Sequence, residues 1–158
     1  MNSCQPVILL IEDNEDDIFF MERALRKAKI SLPIQVARDG QEAMNYLSGV
    51  GKFADRVAYP MPSVVFLDLK LPYLHGFELL SRMQEHAGLR DIRVIVLTSS
   101  PELRDRQKAK ELGAKAYLVK PPTEEMLLQA MHFLLAPAAP PPSPEGASAF
   151  NVPLSPAD

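Results

Sequence analysis

Five short apolar runs recur along the chain, and the segments between them carry apolar residues at intervals of three or four positions. The runs read VILLI, IQVA, VVFL, VIVL and AYLV, and they occupy positions 7–11, 34–37, 64–67, 94–97 and 116–119. Four of the five lack the alternation of a one-sided sheet, which indicates strands covered on both faces. The half-polar IQVA run fits the edge of a sheet.

The segments between the runs predict five helices. In residues 16–30 the apolar residues recur at helical spacing, at Ile18, Met21, Leu25 and Ala28. The third helix is predicted over 76–86. Capping signals mark the others: Asp39 with Glu42 for the second helix, Ser100 before Pro101 for the fourth, Gly113 at its end, and Thr123 for the fifth. Alternating strands and helices predict an α/β fold, a doubly wound parallel sheet with helices on both faces.

Composition changes this picture at the C-terminal end. Seven of the 15 prolines lie among the last 22 of 158 residues. Such a segment cannot build a packed core on its own, so we expect a folded domain over 1–136 and a flexible, Pro/Ala-rich tail over 137–158. No apolar run reaches the ~18 residues of a membrane span, and the net charge of −3 argues against a nucleic-acid surface. The single cysteine, Cys4, excludes a disulfide framework, and we expect a cytoplasmic protein.

Polar residues that could bind a ligand or take part in a reaction follow the ends of four strands. Glu12 and Asp13 come after the first run and Asp68 after the third, while Thr98 and Lys120 end the fourth and fifth. The carboxyl ends of parallel strands meet at one edge of a sheet, where ligands of such folds bind. Three neighbouring carboxylates repel one another, so either some of them are protonated or a cation lies among them, and hard oxygen ligands suit Mg²⁺.

The same edge could receive a phosphoryl group. Its charge at Asp68 would be neutralised by Mg²⁺, by the Lys120 ammonium and by the Thr98 hydroxyl. The remaining acidic residues after the first strand are interpreted as charges that favour a helix N-terminus: Glu15, Asp16 and Asp17.

Four segments in chain order resemble the receiver domain of two-component response regulators. They read ILLIEDNEDD, VVFLDLKLP with the following Gly76, VIVLTSS and GAKAYLVKP, and the resemblance spans residues 6 to about 135. It implies a flavodoxin-like fold with strand order 2-1-3-4-5. A narrower similarity, carried by GVGKFADRVAYPMP and LRDIRVIVLTSS, is to single-domain regulators paired with bacterial phytochrome histidine kinases.

The resemblance implies a role for each residue at the sheet edge. Asp68 would be the phosphoacceptor. The metal, Mg²⁺ with Mn²⁺ as a substitute, would be bound by Asp13, Glu12, Asp68 and the backbone carbonyl of Lys70. Such a domain is a phosphoacceptor switch in signal transduction and not a turnover enzyme.

The resemblance also implies the parts of the switch. Thr98 would be the switch hydroxyl, Ser99 a small neighbour that leaves room for the phosphoryl group, Tyr117 the switch aromatic and Lys120 the phosphate partner. The bond between Lys120 and Pro121 would be cis. On phosphorylation Thr98 would move toward the phosphate and Tyr117 would turn inward, which would change the face formed by the fourth helix, the fifth strand and the fifth helix.

Two surfaces are expected to bind partners, and neither partner is a membrane or a nucleic acid. A cognate sensor histidine kinase, with a phytochrome as the expected type, would dock on Phe19 and Phe20 of the first helix. The fifth helix has an apolar arc wider than one core contact requires. We expect it to form a homodimer through Met126, Leu127, Leu128, Met131 and Leu135. The alternative is that the tail covers this helix through Phe150, Val152 and Leu154.

Other interpretations remain open at this point. Lys70, two residues after Asp68, could slow hydrolysis of the phosphoryl group, either by pairing with Glu12 or by screening the group, or it could be a solvated loop lysine. The chain could also be a scaffold that binds partners without phosphorylation. A mononucleotide-binding, flavodoxin-like protein is less favoured, because the carboxylates after the first strand would repel a phosphate.

Overall fold

The computed structural model describes residues 7–135, with the side chains of residues 133–135 excepted. Cys4 and the tail at 137–158 lie outside the described residues. Five parallel strands form one sheet in the order β2-β1-β3-β4-β5. Their bounds are β1 (Ile8–Ile11), β2 (Ile34–Ala37), β3 (Val64–Leu67), β4 (Arg93–Thr98) and β5 (Ala116–Val119). The predicted fold class and strand order are confirmed.

The burial of the strands follows their composition. Every residue of β1 and β3 is buried, as continuous apolar runs in the middle of a parallel sheet should be. In β2 only Ala37 is buried and the other residues are half-buried, as predicted for an edge strand. Strands β1 and β3 are therefore apolar along their whole length, and Glu12 and Asp68 lie just beyond their ends.

The described residues form five α-helices, of which four connect successive strands and the fifth follows β5. They are α1 (Glu15–Lys27), α2 (Gly40–Ser48), α3 (Gly76–Glu85), α4 (Leu103–Glu111) and α5 (Glu124–Leu135), with a short 3₁₀ helix, η1 (Gly51–Ala54), after α2. Among the residues that the structure describes, no helix is both long and apolar enough to cross a membrane.

Side-chain caps begin four of these helices. At the start of α3 the Phe77 N–H donates to His75 Nδ1 (3.1 Å). The Asp17 N–H donates to Asn14 Oδ1 (3.0 Å) at the start of α1, which begins one residue before the predicted position. The Glu42 N–H donates to Asp39 Oδ1 (2.7 Å), and the Met126 N–H donates to Thr123 Oγ1 (3.1 Å). Asp39 and Thr123 are thereby confirmed as caps.

Helix α4 begins later than predicted. Ser100 does not cap it, because the Ser100 carbonyl accepts a hydrogen bond from the Tyr117 hydroxyl (2.7 Å) and its own hydroxyl donates to Asp105 (2.8 Å). The first helical bond runs instead from the Arg106 N–H to the Glu102 carbonyl (3.1 Å), and Glu102 makes no side-chain cap. The prediction that Ser100 and Pro101 open this helix is therefore wrong.

Two apolar layers cover the two faces of the sheet. On one face, α1 and α5 contribute buried residues that include Leu25 and Leu127. On the other face, α2, α3 and α4 contribute buried residues that include Leu47, Leu79 and Ala109. This is the predicted arrangement of helices on both faces.

The apolar arc of α5 has a different explanation from the predicted one. Met126, Leu127 and Met131 are buried within the chain's own core, where they pack with α1 and the sheet. Of the five residues assigned to a dimer face, Leu128 is exposed, and the side chain of Leu135 lies outside the described residues. The expectation that Met126, Leu127 and Met131 present a free apolar face is therefore wrong.

Candidate functional site

The pairing of β1 with β3 builds an acidic pocket at the carboxyl edge of the sheet. Ile11 pairs with Leu67, so the residues that follow them, Glu12 and Asp68, come side by side. The Asp68 N–H donates to the Ile11 carbonyl (3.1 Å), which continues the ladder by one residue. Carboxylate oxygens of Glu12, Asp13 and Asp68 all lie within 4.8 Å of one another. The expected cluster of three carboxylates is present.

These carboxylates differ in their exposure. Glu12 and Asp68 are buried, whereas Asp13 is exposed. The pKa of Glu12 is raised to about 7, chiefly by burial. The hydrogen bond from Lys120 lowers this pKa, while the neighbouring charge of Asp68 contributes to raising it. A set of hard oxygen donors in a partly buried pocket fits a divalent cation such as Mg²⁺ or Mn²⁺, since bound positive charge favours the ionised acids.

Lys120 supplies positive charge to the pocket from β5. Its Nζ lies 2.6 Å from Glu12 Oε1, 2.8 Å from Asp17 Oδ2 and 3.4 Å from Asp68 Oδ2. Burial alone lowers the pKa of Lys120, but its bonds to Asp17 and Glu12 and the charge of Asp68 hold that pKa above its usual range. The Lys120–Pro121 peptide bond is cis, as the resemblance implied.

Asp17 is the residue of this site that sequence reasoning missed. It was interpreted as a charge that only favours the helix N-terminus, but its carboxylate accepts a hydrogen bond from Lys120. A signal was available, because Asp17 lies one helical turn before the buried Met21 and so faces the margin of the core. Glu15, by contrast, forms an ion pair with Arg38 away from the pocket.

The switch residues lie at the ends of β4 and β5. Thr98 is fully buried, and its hydroxyl oxygen accepts a hydrogen bond from the Ser100 N–H (3.3 Å). The Tyr117 ring is also fully buried, and its hydroxyl donates to the Ser100 carbonyl. The inward turn of Tyr117 on phosphorylation stays a prediction. Ser99 is exposed beside them. Ser100 thus joins the two predicted switch side chains.

The loop after β3 turns back tightly onto the end of that strand. The Lys70 N–H donates to Asp68 Oδ1 (3.2 Å), and the Gly76 N–H donates to the Leu69 carbonyl (2.9 Å). A Cβ on Gly76 would lie 2.7 Å from Leu69 Cα and 2.9 Å from the Asp68 carbonyl oxygen. Only glycine therefore allows this loop to turn back onto the end of β3 without displacing it.

The side chain of Lys70 is exposed. Glu12 uses its two oxygens elsewhere, because one accepts from Lys120 and the other accepts from the Asn14 N–H (3.2 Å). Among the described residues Glu12 forms its ion pair with Lys120 and not with Lys70, so this structure does not contain the pair that the hypothesis invoked. Screening of a phosphoryl group by Lys70 stays a prediction.

A doubly wound sheet with three carboxylates and a lysine at its carboxyl edge is the arrangement of a receiver domain. Residues 8–132 match the response regulator receiver domain family. The chain belongs to this family of two-component regulators, as its four motifs indicated.

The chain is similar to several regulators connected with phytochromes. Response regulator Rcp1 of Synechocystis is 34% identical over 114 residues, which cover 72% of this chain and 76% of Rcp1. The response regulator RPA3017, in red light signaling of R. palustris, superposes with a TM-score of 0.78 at 30% identity, covering 87% of this chain and 99% of that one. The bacteriophytochrome response regulator AtBRR superposes with a TM-score of 0.75 at 38% identity, and the match covers 88% of this chain and 99% of that one. The narrower similarity predicted from sequence is confirmed.

Proposed function

We propose that the chain accepts a phosphoryl group on Asp68 from a sensor histidine kinase, in a reaction that needs Mg²⁺. The observation that carries this proposal is the convergence of Glu12, Asp13 and Asp68 within 4.8 Å, with the Lys120 ammonium bonded among them. The similarity to RPA3017 and AtBRR supports a phytochrome as the type of kinase.

The transfer is a displacement at phosphorus. An Asp68 carboxylate oxygen attacks the phosphorus of a phosphohistidine, a P–O bond forms and the P–N bond breaks. The electron pair of that bond stays on the imidazole nitrogen, and the product is an acyl phosphate on Asp68. Lys120 would neutralise one oxygen of the transferred group and the Thr98 hydroxyl would donate to another. Stabilisation of the transition state by these preorganised groups would supply most of the rate enhancement.

Mg²⁺ would be held by the carboxylates of Glu12, Asp13 and Asp68 together with the Lys70 backbone carbonyl. When bound, the ion supplies positive charge to the phosphoryl oxygens. Mn²⁺ should substitute, and the similar regulator Rcp1 has been solved in a Mn²⁺-bound form, with 31% identity and a TM-score of 0.72 over 86% of this chain and 99% of that one.

The deciding experiment is incubation with Mg²⁺ and phosphoramidate, followed by intact mass measurement. We expect a gain of one phosphoryl group that is lost in Asp68→Asn and on chelation by EDTA. Asp16→Asn is the matched control, because it removes an exposed carboxylate from the neighbouring α1 and should leave the gain unchanged. No gain from phosphoramidate or from a kinase would overturn the proposal and favour a scaffold that works without phosphorylation.

The output of the switch would come from the surface of α4, β5 and α5. Thr98 and Tyr117 both contact Ser100, and the Ser100 hydroxyl bonds Asp105 of α4. A Thr98 hydroxyl that turns toward a phosphoryl group would leave the Ser100 N–H. The bond network thereby offers a route from Asp68 to α4, which would shift between two packings rather than refold.

Partner docking would use the outer surfaces of α1 and α5. Phe19 and Phe20 are 53% and 56% exposed and pack edge to face with ring centroids 5.7 Å apart. They would contact the kinase beside the acidic pocket. A homodimer through α5 would have to use Leu128 as its exposed apolar residue among those described, and comparing the solution mass of the full chain with that of a chain ended at Ala136 tests it.

A further inference from the structure

We propose that Asp17 is a positioning residue that holds the Lys120 ammonium on the α1 side of the pocket and competes with the phosphoryl group for it. This inference rests on the proposed phosphoryl transfer to Asp68. It adds to the site a fourth carboxylate, which belongs neither to the metal cluster nor to the acceptor.

The distances around Lys120 are unequal. The ammonium lies 2.6 Å and 2.8 Å from the oxygens of Glu12 and Asp17, but 3.4 Å from that of Asp68. An ammonium has three N–H donors, and three carboxylates occupy them. The charge is thus drawn away from the residue that would carry the phosphoryl group.

Helix α1 fixes the position of the Asp17 carboxylate. The Asp17 N–H donates to the Asn14 cap, and the next residue, Ile18, is buried with Met21 and Leu25 in the core. Asp17 is one turn from Met21, so the packed helix holds its backbone in place and only its short side chain can move. Lys120, on a longer side chain, has the greater reach.

To bind a phosphoryl oxygen on Asp68, the Lys120 ammonium would have to give up its hydrogen bond to Asp17. The bond to the Asp17 carboxylate joins two opposite charges, whereas the neutral amide of asparagine would keep a hydrogen bond to the ammonium but lose the attraction between the charges. The pair is partly solvated, with side-chain exposures of 15% for Lys120 and 39% for Asp17, so water limits the effect. Removing this charge should therefore favour the phosphoryl-bound form by a modest factor.

The first test measures the affinity of the full chain for beryllofluoride, an analogue of the phosphoryl group, in the presence of Mg²⁺. Asp17→Asn should bind it about fivefold more tightly than the natural chain. Asp16→Asn is the matched control, because it removes the same charge from the same helical turn without removing a partner of Lys120. Equal or weaker binding by Asp17→Asn overturns the inference.

The second test asks whether the effect passes through Lys120. In a Lys120→Met background, adding Asp17→Asn should leave beryllofluoride affinity within about twofold, because the competed ammonium is gone. A gain that persists at about fivefold would show simple relief of charge repulsion and would overturn the inference.

A third measurement does not depend on phosphoryl chemistry. Proton exchange of the Lys120 ammonium, followed by ¹⁵N NMR, should rise severalfold in Asp17→Asn and stay unchanged in Asp16→Asn; no change in Asp17→Asn overturns the inference. A natural chain that binds no beryllofluoride contradicts the proposed function itself. A natural chain that binds it as tightly as Asp17→Asn contradicts only the role of Asp17.

Discussion

Helices α1 and α4 flank the same site, but they are attached to the molecule in different ways. The side chain of Asn14 caps α1, and three of its residues, Ile18, Met21 and Leu25, are buried. Helix α4 has no side-chain cap at Glu102, and Ala109 is its one buried residue. Helix α1 is therefore anchored in the core beside the acidic residues, whereas α4 has few buried side chains to hold it against the sheet.

This difference indicates where a switch can move at low cost. Regions with few buried apolar contacts open with the smallest free energies, and moving elements are drawn from them. Helix α4 meets that description, whereas a shift of α1 would disturb the core together with Asp17. The acceptor and its acids can thus stay fixed while the signal alters α4.

The largest effect should come from truncating the core side of α1. Leu25 is fully buried, so Leu25→Ala should lower the free energy of unfolding by about 3 kcal/mol. Its counterpart on α4, Leu103, is 65% exposed, and Leu103→Ala should change that free energy by less than about 0.5 kcal/mol. Urea denaturation of both variants measures the two changes in the free energy of unfolding. Similar losses in both would contradict the difference between α1 and α4.

The outer side of α1 should matter to the partner and not to the chemistry. Replacing Phe19 and Phe20 together by alanine should slow phosphotransfer from the cognate kinase about tenfold, because a docking surface loses two exposed aromatic side chains. Phosphorylation by phosphoramidate, which needs no docking, is the control and should keep its rate. Unchanged transfer from the kinase would contradict the docking role.

The caps offer a smaller contrast. Asn14→Ala removes the acceptor of the Asp17 N–H and should lower the free energy of unfolding by about 1 kcal/mol. Glu102→Ala removes no side-chain cap from α4, so its effect should be close to zero. Thermal unfolding of both variants measures this difference. An equal loss of stability in Glu102→Ala would contradict the conclusion that α4 is held by few contacts.

The smallest effect should appear at Ser100. Its hydroxyl donates to Asp105 at 2.8 Å, and Ser100→Ala removes this tie at a cost below about 1 kcal/mol. Amide hydrogen exchange in α4 should then rise severalfold while exchange in α1 stays the same. A uniform rise across both helices would mean that the two are not independently held.

Much of the fold could be predicted because its strands are short apolar runs with clear ends. The runs IQVA, VVFL and AYLV coincide with β2, β3 and β5. The start of α4 could not be predicted in the same way, because Ser100 has the properties of a cap. What decides the outcome is a hydrogen bond from Tyr117, which lies 17 positions along the chain.

The candidate site shows the same division. Glu12, Asp13, Asp68 and Lys120 follow strands, so the topology alone brings them to one edge. Asp17 lies on a helix, and its contact with Lys120 depends on how deeply α1 packs. The apolar width of α5 was assigned to a partner for a related reason, since a helical wheel does not show how much of a helix the core will cover.

The bond between Lys120 and Glu12 joins residues 108 positions apart. During synthesis the strands that carry the acids leave the ribosome first, and the lysine follows only with the fifth strand. Until residue 120 has been synthesised, the chain therefore lacks the lysine that neutralises Glu12 and Asp68, so the charge balance of the pocket is completed only by the last strand of the sheet.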